Sequence, residues 1–579
     1  MKWKKKNPAL NTIREVVINN NPGISEEELL DDKTIYKVRD IDKIVEVLLY
    51  AKENNVLVTI VGDYDADGVS SETQWKLICE RLGIRYKIRT PSRHKEGYGL
   101  NINIIDEIDE GILITVDNGI AALEAIKKAK AKGLYVIIVD HHQPAVDKFG
   151  NITLPEADII LDPHVIEDQA DYKHYCGAGL TYKIAEELFN EDEFFLNRLS
   201  CFAAIGTVAD VMPLTKDNRK IVKKGLQNML VYKNRTTGLG KLLEASYING
   251  RITADDIGYS IGPAINACGR LGAPIAPDEA DMAVEILSFN GNLETAKSLA
   301  EAMVFVNKER QRLVKEADKM AEQIIEEEAM FGDVPLVLYI PNVNEGLVGI
   351  ISGHLTEKHG VPSIVLTDSH KDETVIKGSG RSIEGIDLKG LLDQCMADLL
   401  GYGGHPIAAG LSLKLDKLDQ FRASIQDKID PDFSYKPAEL MYDLEINEND
   451  IERLIPELDK YGPYGQGNPE PIFLIRNFHL FPKENSMFKV SGSENEHIRF
   501  FGTSAYANAF FQNDKYIEMG QPKTMNIIGT LDVSNFKGHI SYGMKILDME
   551  PVAEPEKKRT SLADLVRNKT LQINKNKGL

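Results

Sequence analysis

Five aspartates and two histidines stand at the ends of short apolar runs. Residues 56–61, rich in Val, lead into Gly62-Asp63-Tyr64-Asp65-Ala66-Asp67-Gly68. Residues 112–116 lead into Asp117-Asn118-Gly119, and residues 134–139 into Asp140-His141-His142. Carboxylates gathered at one edge repel one another, and the arrangement is costly unless cations sit among them. Oxygen donors mixed with imidazole suit Mn²⁺ or Mg²⁺ better than a thiolate-preferring metal. Two such ions about 3.5–4 Å apart can activate a water and stabilise the leaving oxygen of a phosphoryl group, which makes phosphoester hydrolysis the reaction class. A calcium loop is the competing reading, since Asp63, Asp65, Asp67 and Gly68 fall at positions 1, 3, 5 and 6 of an EF-hand. Its twelfth position is Gln74 where a bidentate Glu is required, and a strand rather than a helix precedes it. Taken singly, Asp-Gly after a strand is a turn and adjacent histidines are structural. It is their joint placement after three runs that points to a site.

The elements that must deliver these groups can be read from the spacing. Between residues 40 and 230, short apolar strands alternate with helical patterns, which indicates a parallel sheet covered on both faces. In such a sheet, ligands bind beyond the carboxyl ends of the strands, where all three groups lie. From Gly291 to Gly332 there is no other Gly and no Pro, and Leu293, Ala296, Leu299, Ala300 and Met303 keep helical spacing, which predicts one long helix. A second α/β region spans about 334–430, and short β-rich runs from about 465 to 550 predict a small β-barrel.

The composition sets bounds on these readings. The chain has 579 residues, 43% of them hydrophobic and 27% charged, enough for several domains with their own cores. No apolar run approaches the roughly 18–20 residues of a membrane span, and the basic N-terminus lacks the apolar stretch of a secretion signal. Five scattered cysteines without a CxxC pair argue against a disulfide framework and for a reducing cytoplasm. The net charge of −20 argues in bulk against a nucleic-acid partner, but it is unevenly spread. Residues 438–459 carry −7, residues 557–579 carry +6, and residues 81–95 hold Arg81, Arg85, Lys87, Arg89, Arg93 and Lys95 with no acid before Glu96.

The Asp-Ala-Asp-Gly, Asp-Asn-Gly and Asp-His-His elements resemble the DHH phosphoesterase superfamily, and residues 203–214, ending Ala209-Asp210-Val211-Met212-Pro213-Leu214, look like its fourth motif. Gly403-Gly404-His405 resembles the Gly-Gly-His element of the associated DHHA1 domain. Tyr464-Gly465-Gln466-Gly467-Asn468-Pro469-Glu470-Pro471 resembles the start of the β-barrel of the RecJ family of bacterial single-strand-specific exonucleases. The resemblance extends from about residue 40 to 550. It implies an α/β fold: a parallel-sheet DHH catalytic domain (41–230) after an N-terminal extension (1–40), and a helical region with a long connecting helix (231–332). A DHHA1 domain (333–436), an OB-like barrel (437–553) and a basic tail (554–579) follow. Carried over residue by residue, the metal ligands would be Asp65, Asp67, Asp117, His141 and Asp210, holding two ions, Mn²⁺ or Mg²⁺. His142 would contact the scissile phosphate, with Asp63 and Asp140 beside it as ligands or orienting groups.

The same resemblance implies a path for one strand of DNA. Arg93, in Pro91-Ser92-Arg93, would grip a phosphate, and Asn266 and Arg270 would lie near the substrate backbone. Ser379 and Arg381 would form a pocket for a terminal 5′-phosphate together with Arg93, and His405 would approach from the same lobe. In the barrel, Phe488, Phe500, Phe501, Phe536 and Tyr542 are candidates for stacking bases, beside Arg499 and Lys537. Val343 and Phe536 stand where the family usually has Trp. The implied activity is 5′-to-3′ release of mononucleotides from single-stranded DNA in repair and recombination, by a cytoplasmic monomer with no membrane attachment. A single-strand-binding protein and a RecQ-type helicase are the implied partners. The alternatives are a DHH enzyme acting on short oligonucleotides or cyclic dinucleotides, which would lack the barrel, and a non-catalytic DNA-binding scaffold, which would lack the metal ligands.

Overall fold

Strand β1 (Val58–Val61) is buried along its whole length, and β3 (Ile112–Val116) likewise. Continuous burial of Val, Ile and Leu on both sides is what a central parallel strand requires. With β2 (Tyr86–Arg89), β4 (Tyr135–Val139) and β5 (Ile159–Leu161) they form a five-stranded, all-parallel sheet of order β2-β1-β3-β4-β5. The order reverses between β1 and β3, and that switch point is where a doubly wound sheet opens a crevice. The computed structural model describes residues 3–552 apart from 94, 147–150, 234, 236, 249, 273–274, 276–278, 370–371, 431–438, 484–485, 493 and 537–538. The basic tail and Lys537 therefore lie outside the described residues, as does the side chain of Phe536.

Helix α1 (Ala66–Leu82) follows β1 directly; Asp65 caps its N-terminus and Gly83, in the left-handed region, ends it. It is buried on nearly every side, against α3 (Gly177–Leu188) and α4 (Glu193–Ala209) among others. Between β3 and β4 runs α2 (Leu123–Ala131), and α5 (Gly262–Leu271) lies further along the same unit. The predicted long helix is α6 (Leu293–Glu327), 35 residues and hence about 52 Å at 1.5 Å per residue. Its buried stripe of Ala296, Ala300, Met303, Val306, Val314, Ala317, Ala321 and Ile325 keeps one face of the helix on the core.

The second sheet, order β9-β10-β8-β7-β6, comprises β6 (Leu336–Tyr339), β7 (Ser363–Ser369), β8 (Asp372–Arg381), β9 (Gly401–His405) and β10 (Ala408–Lys414). Only β6 and β7 run parallel; helix α7 (Val348–His359) connects them. Its core, including Val337, Ile364, Leu366 and Phe421, is distinct from that of the first sheet.

The chain divides into two compact units. One contains both sheets above, from Ile18 onward, and also takes Asp459–Pro469. The other is built from Met1–Val17, Glu439–Leu458 and the chain from Glu470 on. This second unit holds a seven-stranded mixed sheet and a separate two-stranded ladder, in which Lys4–Lys5 pairs in parallel with Met441–Tyr442. Trp3 is buried there with Tyr442, Leu474 and Ile528, its indole N–H donating to Asp548 at 2.9 Å. So the first part of the expected N-terminal extension, up to Val17, groups with the C-terminal sheet, and the rest, from Ile18, with the first unit. No helix among the described residues is long and apolar enough to cross a membrane.

Candidate active site

Three of the acidic groups, Asp65, Asp67 and Asp140, are fixed by backbone N–H donors before any cation is considered. Asp65 Oδ1 accepts from the N–H groups of Asp67 and Gly68, both at 3.0 Å, as the cap of α1. Asp67 accepts from Gly177 N (2.7 Å) and Ala178 N (3.0 Å), the first residues of α3, whose N-terminal dipole favours an anion there. Helix α4 approaches the same carboxylate so closely that a Cβ on Gly206 would collide with Asp67 Oδ1, so only glycine fits. Asp117 sits at φ +60°, and the next residue locks the turn. Asn118 Nδ2 donates to the carbonyls of Val61 (3.1 Å), Gly62 (2.8 Å) and Val116 (2.9 Å), tying β1 to β3. Asp140 accepts from Ile120 N at 2.9 Å, His141 N at 2.8 Å and His142 N at 3.2 Å.

These groups converge. His141 Nε2 lies 3.0 Å from Asp117 Oδ1, 3.6 Å from Asp210 Oδ2 and 3.8 Å from Asp67 Oδ2. Three sets, Asp67–His141–Asp210, Asp63–Asp65–Asp117 and Asp117–His141–His142, each bring their donor atoms within 4.8 Å of one another. Two of the sets share Asp117 and two share His141, the pattern of adjacent cation sites. Electrostatics point the same way. Burial, and then the charges of Asp67 and Asp65, push the Asp117 carboxyl well above the ordinary range and Asp210 up to about 8. Burial and Asp65 do the same to Asp63, whose buried Oδ1 has no hydrogen-bond partner. Burial holds the imidazole of His141 below its usual value, leaving it neutral and able to ligate. Oxygen-rich donors, an orphaned carboxylate oxygen and acids that resist ionisation together fit a pair of hard divalent cations.

His142 has different surroundings. Its Nδ1 lies 2.8 Å from Asp140 Oδ1, and its side chain is 40% exposed. Burial works against its charge, but Asp140 and the more distant carboxylates outweigh that and raise it to about 9. His142 thus holds a proton more firmly than a free imidazole, whereas His141 holds one less firmly.

The expected substrate residues fall into separate groups. Arg93 lays its guanidinium over the Tyr64 ring, 4.0 Å from the centroid, and its buried Nε has no partner. Arg270 is near it: burial, then the charge of Arg93, lowers Arg270 to about 10, and its guanidinium donates to Gly346 O at 3.2 Å, reaching into the second sheet's lobe. Asn266 uses its Oδ1 to accept from Ala66 N at 2.8 Å, so that atom holds the loop that carries Asp65 and Asp67. Arg381 donates to Ser379 Oγ at 3.0 Å, and both face Gly349 in the first turn of α7, whose Cβ, if present, would lie 3.2 Å from each. Across β8, β10 and β9, Arg381, Ala408 and His405 align in one row, so Arg381 and His405 share a sheet face. His405 is exposed.

Other groups at the site carry no role that the sequence assigns. Asp162 follows β5 just as the other acids follow their strands; it is fully buried, Oδ2 has no partner, and burial and Asp140 push it up to about 8. His164 Nδ1 lies 2.6 Å from the carbonyl oxygen of His141. Tyr98 places its hydroxyl 3.1 Å from His142 Nε2. The signal for Asp162 and His164 was present as Asp-Pro-His after an apolar run, but the strand is only three residues long.

In the C-terminal unit the stacking candidates divide. Phe500 is fully buried and packs with Phe488 around Tyr516, at 4.8 Å and 5.5 Å between centroids, so Phe500 is core. Arg499 lies over Tyr506 at 3.8 Å. Among the described residues of this unit the open aromatics are Phe481, Phe510 and Phe511, the last 77% exposed beside His497.

Residues 57–207 match the DHH family, N-terminal domain; residues 334–430 match the DHHA1 domain and residues 442–548 the RecJ OB domain. The single-stranded-DNA-specific exonuclease RecJ of Dickeya dadantii is 32% identical over 463 residues, covering 75% of this chain and 77% of that protein. The RecJ of Bacillus subtilis is 33% identical over 428 residues, covering 72% of this chain; the alignment spans about half, 52%, of that longer protein. Among solved structures, RecJ from Thermus thermophilus in complex with Mn²⁺ superposes with a TM-score of 0.70 at 25% identity, covering 92% of this chain and 74% of that one.

Proposed function

The chain belongs to the RecJ family, and from that premise we propose that it hydrolyses single-stranded DNA from the 5′ end, releasing 5′-mononucleotides. The observation that carries this reading is the convergence of Asp65, Asp67, Asp117, His141 and Asp210 at the switch point of a parallel sheet, every one present. That completeness also speaks against a non-catalytic scaffold, and the C-terminal sheet speaks against a DHH enzyme for very short substrates.

In this reading Asp67, His141 and Asp210 hold one divalent cation and Asp63, Asp65 and Asp117 the other, Mn²⁺ or Mg²⁺. When bound, such a pair supplies a nucleophilic water at neutral pH and charge for the leaving oxygen. His142, cationic and fixed at Nδ1 by Asp140, donates from Nε2 to a non-bridging oxygen of the scissile phosphate and offsets its developing charge. Arg93, Ser379 and Arg381 hold the terminal 5′-phosphate and so set polarity; Arg270 and His405 line the way to it, and Asn266 holds Ala66 and the loop of Asp65 and Asp67 in place. The two lobes joined by α6 admit one strand and exclude a duplex. We further assign the chain to the cytoplasm, where its five free, buried cysteines stay reduced, as a monomer working with a helicase of the RecQ type and a single-strand-binding protein.

A substrate panel tests this. A 5′-labelled oligonucleotide should release labelled mononucleotide with Mn²⁺ and none with chelator, and Asp65→Ala or His141→Ala should abolish release while DNA binding persists. Equal activity on blunt duplex, or release from the 3′ end first, would overturn the reading.

A further inference from the structure

Tyr98 packs its ring against the proposed phosphate-binding histidine, and its setting is unusual for a tyrosine held by packing. It lies between Gly97 at φ +91° and Gly99 at φ +62°, a backbone path that side-chain-bearing residues rarely adopt. The loop is seated on the residue that locks Asp117: Leu100 N donates to Asn118 Oδ1 at 3.1 Å, and a Cβ on Gly99 would stand 3.1 Å from Asn118 Cβ. Tyr98 nonetheless leaves 53% of its surface exposed, so burial of the ring is not what the loop achieves. What it achieves is placement of the hydroxyl.

That hydroxyl donates to the backbone carbonyl of Asp117 at 3.2 Å. Its oxygen is then 3.1 Å from His142 Nε2 and 3.4 Å from Nδ1. The two N–H directions of an imidazole diverge, so an oxygen nearly equidistant from both nitrogens lies on neither axis. It therefore braces the ring without consuming the Nε2 proton that the phosphate would meet. The two rings meet edge to face at 5.7 Å. On its other side Tyr98 contacts Tyr64, edge to face at 6.4 Å, and the Tyr64 face carries Arg93 at 4.0 Å. A continuous set of contacts thus runs from the arginine proposed for the strand end to the histidine proposed for the scissile phosphate.

We propose that Tyr98 is a positioning residue: anchored on the Asp117 carbonyl, its hydroxyl confines the half-exposed His142 ring to the orientation set by Asp140, and Arg93 steadies it through Tyr64. The proposal rests on the nuclease reading for its kinetic consequence, but not for its structural one. An imidazole held at one edge only samples several ring orientations, and restricting it to the reactive one raises the turnover step without altering how the strand binds.

Tyr98→Phe keeps the ring and its contact with Tyr64 while removing the hydroxyl. Its kcat on a 5′-phosphorylated single strand should fall about fivefold to tenfold, with KM and Mn²⁺ affinity, measured by titration calorimetry, unchanged. Independently of any activity, NMR of ¹⁵N-histidine-labelled, Mg²⁺-loaded protein should show the His142 ring signals, identified by their loss in His142→Gln, shifted and broadened by Tyr98→Phe, with those of His405 unmoved. Unchanged His142 signals would overturn the proposal, as would a raised KM with kcat intact, which would make Tyr98 a strand-contacting residue instead. Should the wild-type chain degrade no single-stranded DNA, the nuclease reading fails while the NMR comparison still decides on Tyr98.

Discussion

At the scale of single residues, Asn118 holds the site together as much as its carboxylates do. Its Nδ2 reaches three carbonyls from two strands and its Oδ1 accepts Leu100 N, all within a fully buried setting. Removing one partner from buried hydrogen bonds leaves the others unsatisfied, and each such loss costs about 1–3 kcal/mol. Asn118→Ala should therefore lower unfolding free energy by about 2–4 kcal/mol in urea titration and also weaken Mn²⁺ binding, because Asp117 loses its fixed turn. A Mn²⁺ affinity equal to wild type in a destabilised variant would mean that Asp117 is held by other means. The cluster of carboxylates was legible because a carboxylate directly after a buried strand has few structural explanations. The roles of Asn118 and Tyr98 were not, although both stand in elements that resemble the family's: an Asn in Asp-Asn-Gly reads as turn chemistry and a Tyr between glycines as a loop. Their partners are backbone carbonyls and a histidine ring from other strands, and no local pattern encodes those.

At the scale of elements, periodicity announced the parallel strands and α6, but not what fastens α6 to the second lobe. Helix α7 contributes His354, whose Nδ1 lies 2.8 Å from Asp318, and Lys358 and His359, 2.9 Å and 3.1 Å from Glu322, both acids being on α6. Such pairs join residues more than 30 positions apart and look in sequence like ordinary solvated faces. The hydrogen bond to Asp318 raises the His354 pKa above the usual histidine value. A raised histidine contributes stability fully below its unfolded pKa and loses it as pH climbs through the folded value. His354→Gln should accordingly cost more thermal stability at pH 6 than at pH 9. With the two side chains 51% and 32% exposed, solvent screening keeps the contribution below about 1 kcal/mol. Equal differences in Tm at both pH values would remove the imidazolium from the account. The segment Asp459–Pro469 is a further element that sequence misplaces. It lies between stretches of the C-terminal unit, yet Gln466 O accepts Leu214 N at 2.7 Å and Gly462 O accepts the Arg219 guanidinium at 2.7 Å, beside the Asp210 motif. Chain continuity suggested the barrel, and only three-dimensional packing assigns it to the catalytic unit.

At the scale of the whole molecule, the question is how a chain of net charge −20 holds a polyanion. The acid-free stretch from Arg81 to Lys95 looked like a basic track, but folding alters it. Arg81 pairs with Asp192 at 2.5 Å, and Arg89 is engaged by Glu96 and, through two hydrogen bonds of 2.9 Å and 3.0 Å, by Glu107. Asp192 lies more than 100 residues away in sequence, so the neutralisation could not be read from the local run. Arg93 escapes it, resting on an aromatic face with its Nε unpaired. The effective positive charge for DNA is then a few placed arginines rather than a continuous stripe, and salt dependence distinguishes the two. Each phosphate contact on a single strand contributes about −0.7 to the slope of log K against log salt concentration. In fluorescence anisotropy with a 5′-phosphorylated oligonucleotide and catalytically inert Asp65→Ala protein, adding Arg93→Ala should reduce the slope by about 0.7, one contact's worth, and weaken binding. Arg81→Ala and Arg89→Ala should leave both slope and affinity within about twofold, because those guanidinium groups already spend their charge on carboxylates. Equal losses from all three substitutions would restore the continuous track and require Asp192 and Glu107 to release their arginines when DNA binds.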